Sequence, residues 1–322
     1  MISLLSPADA LRPTAIALGS FDGLHRGHRS IIAAVSGAVS GHPEAVPTVV
    51  SFWPHPREVL RGERRLRLDL PEEKLALLEP LGIRQLVMLP FDAALAALSP
   101  EAFVEQVLAG QLQARQVAVG ADFRFGAGRR GDADSLVRLG AALGIEIMVL
   151  PLLCEGGERA SSSRIRRALA AGGIDTATRL LGRPYRFSGR VVSGRGLGHQ
   201  LGWPTANLQV DGRKFLPAEG VYAARVWIGG PLQAAAAAAV ALPAVMNLGP
   251  QPTVDPGAPS AVEVHLLDRQ LELSDALLTV EPVQLLRRQQ RFGGLEELVA
   301  QIGRDAGQAR ALLASTTLEA GS

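Results

Sequence analysis

The segment GSFDGLHRGH, Gly19–His28, directly follows the apolar run TAIAL at residues 14–18. The run has the length and composition of a buried β-strand, and the glycines after it allow a tight turn and a close approach of the backbone to a ligand. An apolar pattern with helical spacing begins at His28. A strand, a glycine-rich turn and a helix N-terminus in this order are typical of a phosphate site in an α/β sheet, because the free N–H groups of the helix bind anions.

The two histidines of this segment, His25 and His28, are three residues apart, so both imidazoles lie on one face of a first helical turn. Beside a polyphosphate they can donate hydrogen bonds to oxygens that gain charge in a transition state. A glycine-rich turn with two surface histidines is the alternative, and it is favoured for a histidine pair considered alone. A metal site is a further alternative, although no carboxylate or cysteine cluster completes it within this stretch.

Composition limits the class of protein. The 322 residues suggest two domains, and a hydrophobic content of 47% is enough for sizeable cores. We expect no membrane segment, because the longest apolar run, at 234–242, has nine residues and a spanning helix needs about 20. The first residues lack the pattern of a signal peptide. Cys154 is the single cysteine, which excludes an internal disulfide and favours a reduced, cytoplasmic compartment.

The charge balance does not indicate a nucleic-acid partner. The formal net charge is only +2, from 33 basic and 31 acidic residues, and Lys74 and Lys214 are the only lysines. The basic runs at 61–67 and 287–291 are short, and we expect each to be a solvated face.

The first half of the chain alternates strand-like and helical patterns, which predicts a parallel sheet with helices on both faces. The strand-like runs are 14–18, 47–52, 84–89, 114–120 and 145–153. The helical patterns are 28–39, 71–82, 100–112 and 132–144.

The second half changes character after a predicted helix pair at 165–185. Short strand-like runs separated by Gly, Pro and Asp predict an antiparallel barrel or sandwich, and a last helix is predicted at 295–314. We place the domain boundary between residues 183 and 184, which gives domains 1–183 and 184–322. The alanine-rich stretch 233–242 is interpreted as a variable loop.

The opening segment resembles the Gly-x-Phe-Asp-Gly-x-His-x-Gly-His signature of nucleotidyltransferases. Alone, that signature leaves pantetheine phosphate, nicotinate mononucleotide, glycerol phosphate and FMN open as substrates. Four further segments, in this order, resemble the bifunctional riboflavin kinase/FAD synthetases of bacteria. They are SFWPHPREVL at 51–60, GADFRFGAGRRGD at 120–132, SSSRIRRAL at 161–169 and SGRVVSGRGLGHQLGWPTANL at 188–208.

The resemblance covers residues 12–312 and implies both a fold and two reactions. The fold is a Rossmann-like nucleotidyltransferase domain followed by an antiparallel β-barrel riboflavin kinase domain with a terminal helix. Riboflavin is phosphorylated with ATP to FMN, and FMN is adenylylated with ATP to FAD and pyrophosphate. A flavin-binding or regulatory protein with one decayed module is the alternative, and a transferase for another phosphate ester would leave PTAN, residues 204–207, unexplained. No partner protein is implied.

The resemblance also implies roles in the adenylyltransferase half, where His25 and His28 stabilise the transition state. Residues that match ATP-binding positions are Gly19, Phe21, Asp22, Ser162, Ser163 and Arg166. Asp122 and Phe123 match positions near the flavin. His55 either faces a substrate or lies exposed on a rigid loop, and the sequence gives these alternatives equal weight.

In the kinase half, Glu263 matches the general base that takes the proton from the riboflavin 5′-hydroxyl. An ordinary exposed strand glutamate is the alternative. Thr205 and Asn207 match the ligands of Mg²⁺ beside the ATP phosphates, and their oxygens suit that ion. Further ATP contacts are implied for Gly194, Gly198 and Pro204, and a flavin contact for Arg288. The chain departs from the family pattern at His199, Pro250, Ser274 and Asp275.

Overall fold

The computed structural model describes residues 2–36, 41–63, 65–155, 158–193, 202–231, 239–249 and 262–318. The chain divides into two compact units. The first unit consists of Met1–Arg65 and Pro71–Ser161, and the second of Leu66–Leu70 and Ser162–Ser322. No helix within the described residues is both long enough and apolar enough to cross a membrane.

The first unit is built on a six-stranded sheet in which every strand pair is parallel. The strands of this unit are β1 (Ser3–Leu5), β2 (Thr14–Leu18), β3 (Val46–Trp53), β4 (Gln85–Pro90), β5 (Ala114–Gly120), β6 (Arg124–Phe125), β7 (Gly131–Asp132), β8 (Glu146–Leu150), β9 (Cys154–Glu155) and β10 (Glu158–Arg159). The sheet has the order β1-β4-β3-β2-β5-β8, and β6-β7 and β9-β10 are separate two-stranded ladders. The helices are α1 (Arg26–Ala33), α2 (Pro56–Arg61), α3 (Pro71–Leu78), α4 (Ala93–Ala97), α5 (Pro100–Ala102) and α6 (Ala133–Ala142).

Strand β2 shows why helices cover both faces of the sheet. Successive side chains of a strand point to opposite faces. Ile16 and Leu18 pack in one buried cluster, and Ala15 and Ala17 pack in another. Both faces of the strand are therefore apolar and buried, which is the usual state of a parallel sheet. The predicted parallel sheet with helices on both faces is confirmed.

Several local elements differ from the prediction. The helix expected at 100–112 is α-helical only over α5 and continues as a π-helix at Phe103–Gln111. The Leu112 N–H donates to the carbonyl oxygen of Val107 over 3.0 Å, which is a wider turn than an α-helix makes. Strand β1 and helix α2 were not predicted, since both are too short to show a periodic pattern.

The second unit contains a helix pair, a closed barrel and a last helix. The helices are α7 (Ser162–Ala171), α8 (Ile174–Leu181) and α9 (Leu295–Leu318). The strands are β11 (Phe187–Val192), β12 (Ala206–Val210), β13 (Gly220–Ile228), β14 (Leu242–Leu248), β15 (Val262–Leu266) and β16 (Leu277–Arg287). The barrel has the order β11-β12-β15-β14-β13-β16, and every strand pair in it is antiparallel. The predicted antiparallel barrel with a terminal helix is confirmed.

The barrel core also includes the helix pair. Ile165 and Leu169 of α7 and Leu181 of α8 are buried in one cluster with barrel residues such as Met246 and Val264. These contacts assign the pair to the second unit, so the contact boundary lies between residues 161 and 162. The functional boundary between 183 and 184 stays a prediction. Most of the alanine-rich stretch lies outside the described residues, and β14 begins at its end.

The segment Leu66–Leu70 packs within the second unit. The Arg67 N–H donates to the Arg213 carbonyl over 2.6 Å, and the Phe215 N–H donates to the Arg67 carbonyl over 2.7 Å. Arg67 is consequently buried, and the expectation that the whole run 61–67 is a solvated face is wrong at this residue. Asp69 forms an ion pair of 2.8 Å with Arg183.

Substitution of glycine by alanine is expected to have opposite effects on stability at two helical positions. In α6, a Cβ on Gly140 would lie 2.5 Å from Ile147 Cγ1, whereas a Cβ on Gly307 in α9 would meet nothing within 4 Å. We expect Gly140→Ala to destabilise the first unit by about 1–2 kcal/mol, because overpacking outweighs the gain in helix propensity. Gly307→Ala, the control, is expected to stabilise the second unit by up to ~1 kcal/mol. Calorimetry of both variants tests this, and an unchanged Gly140→Ala variant would contradict it.

Candidate active sites

A cleft of about 490 Å³ lies in the first unit, and we refer to it as the cleft. In the sheet, β3 and β4 lie on one side of β2, whereas β5 and β8 lie on the other. The strand order therefore reverses between β2 and β5. Ligands of open α/β sheets bind beyond the carboxyl ends of the strands at such a point. The segment that follows β2 and the residues that follow β5 both line the cleft.

Most of the residues predicted for the adenylyltransferase half lie together here. Those that line the cleft are Gly19, Phe21, His25, His28, His55, Asp122 and Phe123. Asp22 is buried and does not line the cleft. The sequence therefore identified residues that the fold brings to one place from three separate segments.

The turn after β2 has an unusual backbone. Phe21 and Leu24 are buried non-glycine residues with φ of 43° and 39°, and Gly23 between them has φ of 93°. Such conformations are sparsely populated and cluster at functional sites. The Phe21 ring packs over Gly19, where a Cβ would come 3.2 Å from the ring atom Cζ. A side chain at position 19 would displace this ring.

The two motif histidines are coupled through the start of α1. His25 is the N-cap residue, and its Nδ1 accepts the His28 N–H over 3.3 Å. A neutral imidazole that accepts at Nδ1 carries its proton on Nε2, so His25 presents a donor there. The two rings stack with centroids 3.6 Å apart. Phe21 contacts His28 edge to face at 5.3 Å, which fixes the second ring.

His55 repeats this arrangement at the start of α2. Its Nδ1 accepts the Arg57 N–H over 3.1 Å, and Glu58 Oε2 accepts the His55 N–H over 2.8 Å. His55 is thus an N-cap, with its proton on Nε2 in the neutral form. It is half-buried and lines the cleft. His55 is therefore not fully exposed on a rigid loop, and its contact with a substrate stays a prediction.

Positive charge surrounds the cleft. Its described lining includes Arg57, Arg61, Arg124 and Arg129, and one carboxylate, that of Asp122. Sequence reasoning did not select Arg57 or Arg61, although their four-residue spacing in α2 places them on one face. An arginine-rich cleft suits phosphate groups, because guanidinium hydrogen bonds to phosphate are charge-assisted.

Two aromatic rings follow β5. Phe123 and Phe125 stack with centroids 5.7 Å apart. Phe125 is buried and also contacts Phe103, whereas Phe123 is half-buried. The carboxylate of Asp132 forms a 3.2 Å ion pair with Arg124, and the Ser135 N–H that donates to this carboxylate lowers the pKa of Asp132. Arg124 thus has an ionised partner at neutral pH.

The second candidate site is a row of polar residues on three adjacent barrel strands. Glu263 on β15 is directly opposite Asn207 on β12 and Asn247 on β14. Their neighbours along the strands, such as Leu208 and Val264, are buried in the core, so these three side chains point outward. We call Asn207, Glu263 and Asn247 the polar row.

Hydrogen bonds hold the polar row from one side. Asn247 Nδ2 donates to Glu263 Oε2 over 3.4 Å. Gln289 Nε2 donates to Asn247 Oδ1 over 2.7 Å and to the Leu248 carbonyl over 3.0 Å. Because the Asn247 oxygen accepts from Gln289, its nitrogen is directed to the Glu263 carboxylate. The sequence alone assigned no role to Asn247 or Gln289, since their contacts depend on strand register.

The loop before β12 is held by a histidine. The ring Nδ1 of His265 lies 2.8 Å from the Pro204 carbonyl oxygen, to which it donates, and Trp203 contacts the ring edge to face at 5.1 Å. His265 therefore fixes the residue that precedes Thr205. Gly194 and Gly198 lie outside the described residues, as do His199 and Pro250.

The remaining predicted residues belong to the second unit. Ser162 and Ser163 begin α7, and Arg166 donates to the carbonyl oxygens of Ser162 and Leu66 over 3.3 and 2.9 Å. Arg288 donates to the carbonyl oxygen of Ala171 over 2.7 Å. Their contacts with ATP and flavin stay predictions.

A cleft with arginines and a histidine pair at the strand-order reversal of a parallel sheet is typical of enzymes that act on nucleotide phosphates. A family model described as FAD synthetase matches residues 8–164, and one described as riboflavin kinase matches residues 181–313. The bifunctional riboflavin kinase/FMN adenylyltransferase of Escherichia coli K12 is 39% identical over 92% of this chain and 91% of that protein. The Pseudomonas fluorescens relative of the same name is 41% identical over 92% of each chain.

A crystal structure described as a macrolide-efflux protein from Streptococcus pneumoniae is also similar. It matches with a TM-score of 0.82 and 25% identity, covering 96% of this chain and 99% of that one. The chain belongs to the family of bifunctional riboflavin kinase/FMN adenylyltransferases. The resemblance seen in the motifs is confirmed.

Two variants of His55 separate the cap from the cleft. Asparagine retains an acceptor for the Arg57 N–H but lacks the Nε2 donor, whereas alanine lacks both. We expect His55→Ala to lose about 1 kcal/mol of stability and His55→Asn to lose much less. Both variants are expected to lose about tenfold in kcat/KM for FMN adenylylation, the effect of one hydrogen bond to a charged group. Wild-type kcat/KM in His55→Asn would limit the imidazole to capping.

Proposed function

We propose that the two reactions of this enzyme take place at two sets of residues. FMN adenylylation occurs in the cleft, and riboflavin phosphorylation occurs at the polar row. The chain is a riboflavin kinase and an FMN adenylyltransferase, as its family and relatives indicate. The observation that most supports this division is that the residues proposed for each reaction lie together within one unit. His25 and His28 both line the cleft of the first unit, and Glu263 is opposite Asn207 in the barrel of the second unit.

In the cleft, an FMN phosphate oxygen attacks the α-phosphorus of ATP. The bond from this phosphorus to the bridging oxygen breaks, so FAD forms and pyrophosphate leaves. His25 and His28 donate to phosphate oxygens that gain charge, and their stacked, capped geometry needs no rearrangement. The surrounding arginines offset the negative charge that two phosphorylated substrates bring together.

The other residues predicted for this reaction are proposed to bind and orient the substrates. We assign Gly19, Phe21 and Asp22, in the turn between β2 and α1, to the phosphates of ATP, and we call this turn the phosphate turn. His55, Asp122 and Phe123 are assigned to the flavin side, where the Phe123 ring offers an apolar face to a flat ring system. Ser162, Ser163 and Arg166 are proposed as further ATP contacts on α7.

At the polar row, the 5′-hydroxyl of riboflavin attacks the γ-phosphorus of ATP. Glu263 accepts the hydroxyl proton as the bond to ADP breaks, which gives FMN and ADP. Asn247 holds one oxygen of this carboxylate. Pro204, Gly194 and Gly198 are proposed for ATP, and Arg288 for the flavin.

Thr205 and Asn207 would hold Mg²⁺. Their hydroxyl and amide oxygens are hard ligands, and the Glu263 carboxylate lies on the adjacent strand. The described residues contain no cluster of three or more His, Cys, Asp or Glu side chains suited to a metal ion, and Mg²⁺ is commonly held by few protein ligands together with phosphates. When bound, the ion neutralises charge on the phosphates during transfer.

We also propose that the functional domains are residues 1–183 and 184–322 and that the protein is located in the cytoplasm.

Removing the proposed base tests the kinase half. We expect Glu263→Gln to lower kcat for riboflavin phosphorylation by about 10²–10⁴, the usual contribution of a general base. FMN adenylylation should remain unchanged in the same preparation. Glu272→Gln, at an exposed glutamate of the second unit, is the control. Retained phosphorylation in Glu263→Gln would show that another group takes the proton.

Removing a motif histidine tests the other half. We expect His28→Ala to lower FMN adenylylation by about 10²–10³, because a donor to the developing charge is lost. Riboflavin phosphorylation should be unaffected. His42→Ala is the control, because His42 contacts Glu146 over 3.2 Å and does not line the cleft. Equal loss of both activities in His28→Ala would contradict the division into two sites.

A further inference from the structure

The two lysines of the chain stand apart from its other basic residues. Only Lys74 and Lys214 are lysines among 33 basic residues, and both are buried. A buried ammonium is costly unless its N–H groups donate to acceptors. Lys214 Nζ donates to the carbonyl oxygens of Leu68 and Arg186 over 2.6 and 2.9 Å, which fixes Leu66–Leu70 within the second unit. Lys214 therefore has a structural role in the second unit. For Lys74, in the first unit, we asked which acceptors its ammonium contacts.

Lys74 donates into the phosphate turn. Its Nζ lies 3.3 Å from the Ser20 carbonyl oxygen. The Ser51 hydroxyl donates to the same oxygen over 3.0 Å. Two donors from separate elements, α3 and β3, thus converge on one carbonyl of the motif. Lys74 is 5% exposed and Ser51 is 1% exposed, so both donors are shielded from water.

Holding this carbonyl fixes more than one atom. The peptide bond between Ser20 and Phe21 is planar, so in its trans form the Phe21 N–H points away from the Ser20 oxygen. Anchoring the oxygen on Lys74 and Ser51 directs that N–H away from both donors. The anchored peptide also leads into Phe21, whose φ of 43° is unfavourable without such support. Both Ser20 and Phe21 line the cleft.

We propose that Lys74 is a positioning residue for the FMN adenylyltransferase site. Its ammonium holds the Ser20–Phe21 peptide in the orientation that binds ATP phosphate, and it adds a fixed positive charge behind the turn. A lysine suits this position better than an arginine, because an ammonium is compact whereas the guanidinium is a wide planar fork. The proposal rests on the proposed function of the cleft.

Kinetics with each substrate varied separately test this role. Lys74→Met keeps the length of the chain but removes charge and donor, and Lys74→Gln retains an N–H donor. In FMN adenylylation we expect Lys74→Met to raise the KM for ATP about tenfold, since a charged hydrogen bond is lost. Lys74→Gln should recover part of this. The KM for FMN and the riboflavin kinase activity should change less than twofold.

The controls separate positioning from folding. Glu72→Gln changes an exposed residue of the same helix and should match the wild type. A merely structural role for Lys74 would lower the amount of active enzyme and leave the KM for ATP unchanged, and that result would overturn the proposal. A wild-type enzyme without FMN adenylylation would instead contradict the proposed function. In that case, calorimetry measures the binding of a non-hydrolysable ATP analogue to the same variants, and weaker binding to His28→Ala shows that the analogue binds in the cleft. Weaker binding to Lys74→Met than to the wild type would support the positioning role of Lys74, and equal binding would overturn it.

A double-mutant cycle adds a second test. With Ser51→Ala alone, Lys74 still holds the Ser20 carbonyl, and the reverse holds for Lys74→Met alone. We expect the double variant to raise the KM for ATP by more than the product of the two single effects, because each single variant leaves one donor on the carbonyl and the double variant leaves neither. Effects that simply multiply would show that the two residues do not act through one carbonyl.

Discussion

The cleft depends on one constraint, the common direction of the strands in the first sheet. All pairs are parallel, so β2, β3 and β5 end at the same edge. Residues that follow Leu18, Trp53 and Gly120 therefore meet there despite their separation in the chain. Helices α1 and α2 then begin at this edge, and each is capped by a histidine that lines the cleft. His25 and His55 thus cap the first turns of these helices and also present ring N–H donors to the cleft.

The second site is built by a different rule. In an antiparallel barrel, alternation sends every second side chain outward, and strand register decides which of them are neighbours. Register places Asn207, Glu263 and Asn247 side by side, so the polar row is carried by hydrogen-bonded strands and not by loops. A site on such rigid elements holds its geometry closely. One chain therefore combines a loop-built and a strand-built candidate site, and the product proposed for the second is a substrate proposed for the first.

The sequence predicted what local pattern determines. Strand β2 follows from its apolar run, helix α6 from its helical periodicity, and the turn between β2 and α1 from its glycines. Contacts between distant segments could not be predicted. The bond from Lys74 to Ser20, the burial of Arg67 beside Arg213 and the Asn247 contact with Glu263 depend on tertiary packing or register. A π-helix at Phe103–Gln111 resembles an α-helix in sequence, so the periodic pattern could not distinguish the two.

The most direct test of this account is a time course of flavins. Purified protein is incubated with riboflavin, ATP and Mg²⁺, and the flavins are separated by chromatography. The account predicts that FMN appears first and is then converted to FAD, with one pyrophosphate released for each FAD. FMN that accumulates without FAD would contradict the assignment of the cleft. The absence of any product would contradict both sites and favour a flavin-binding protein.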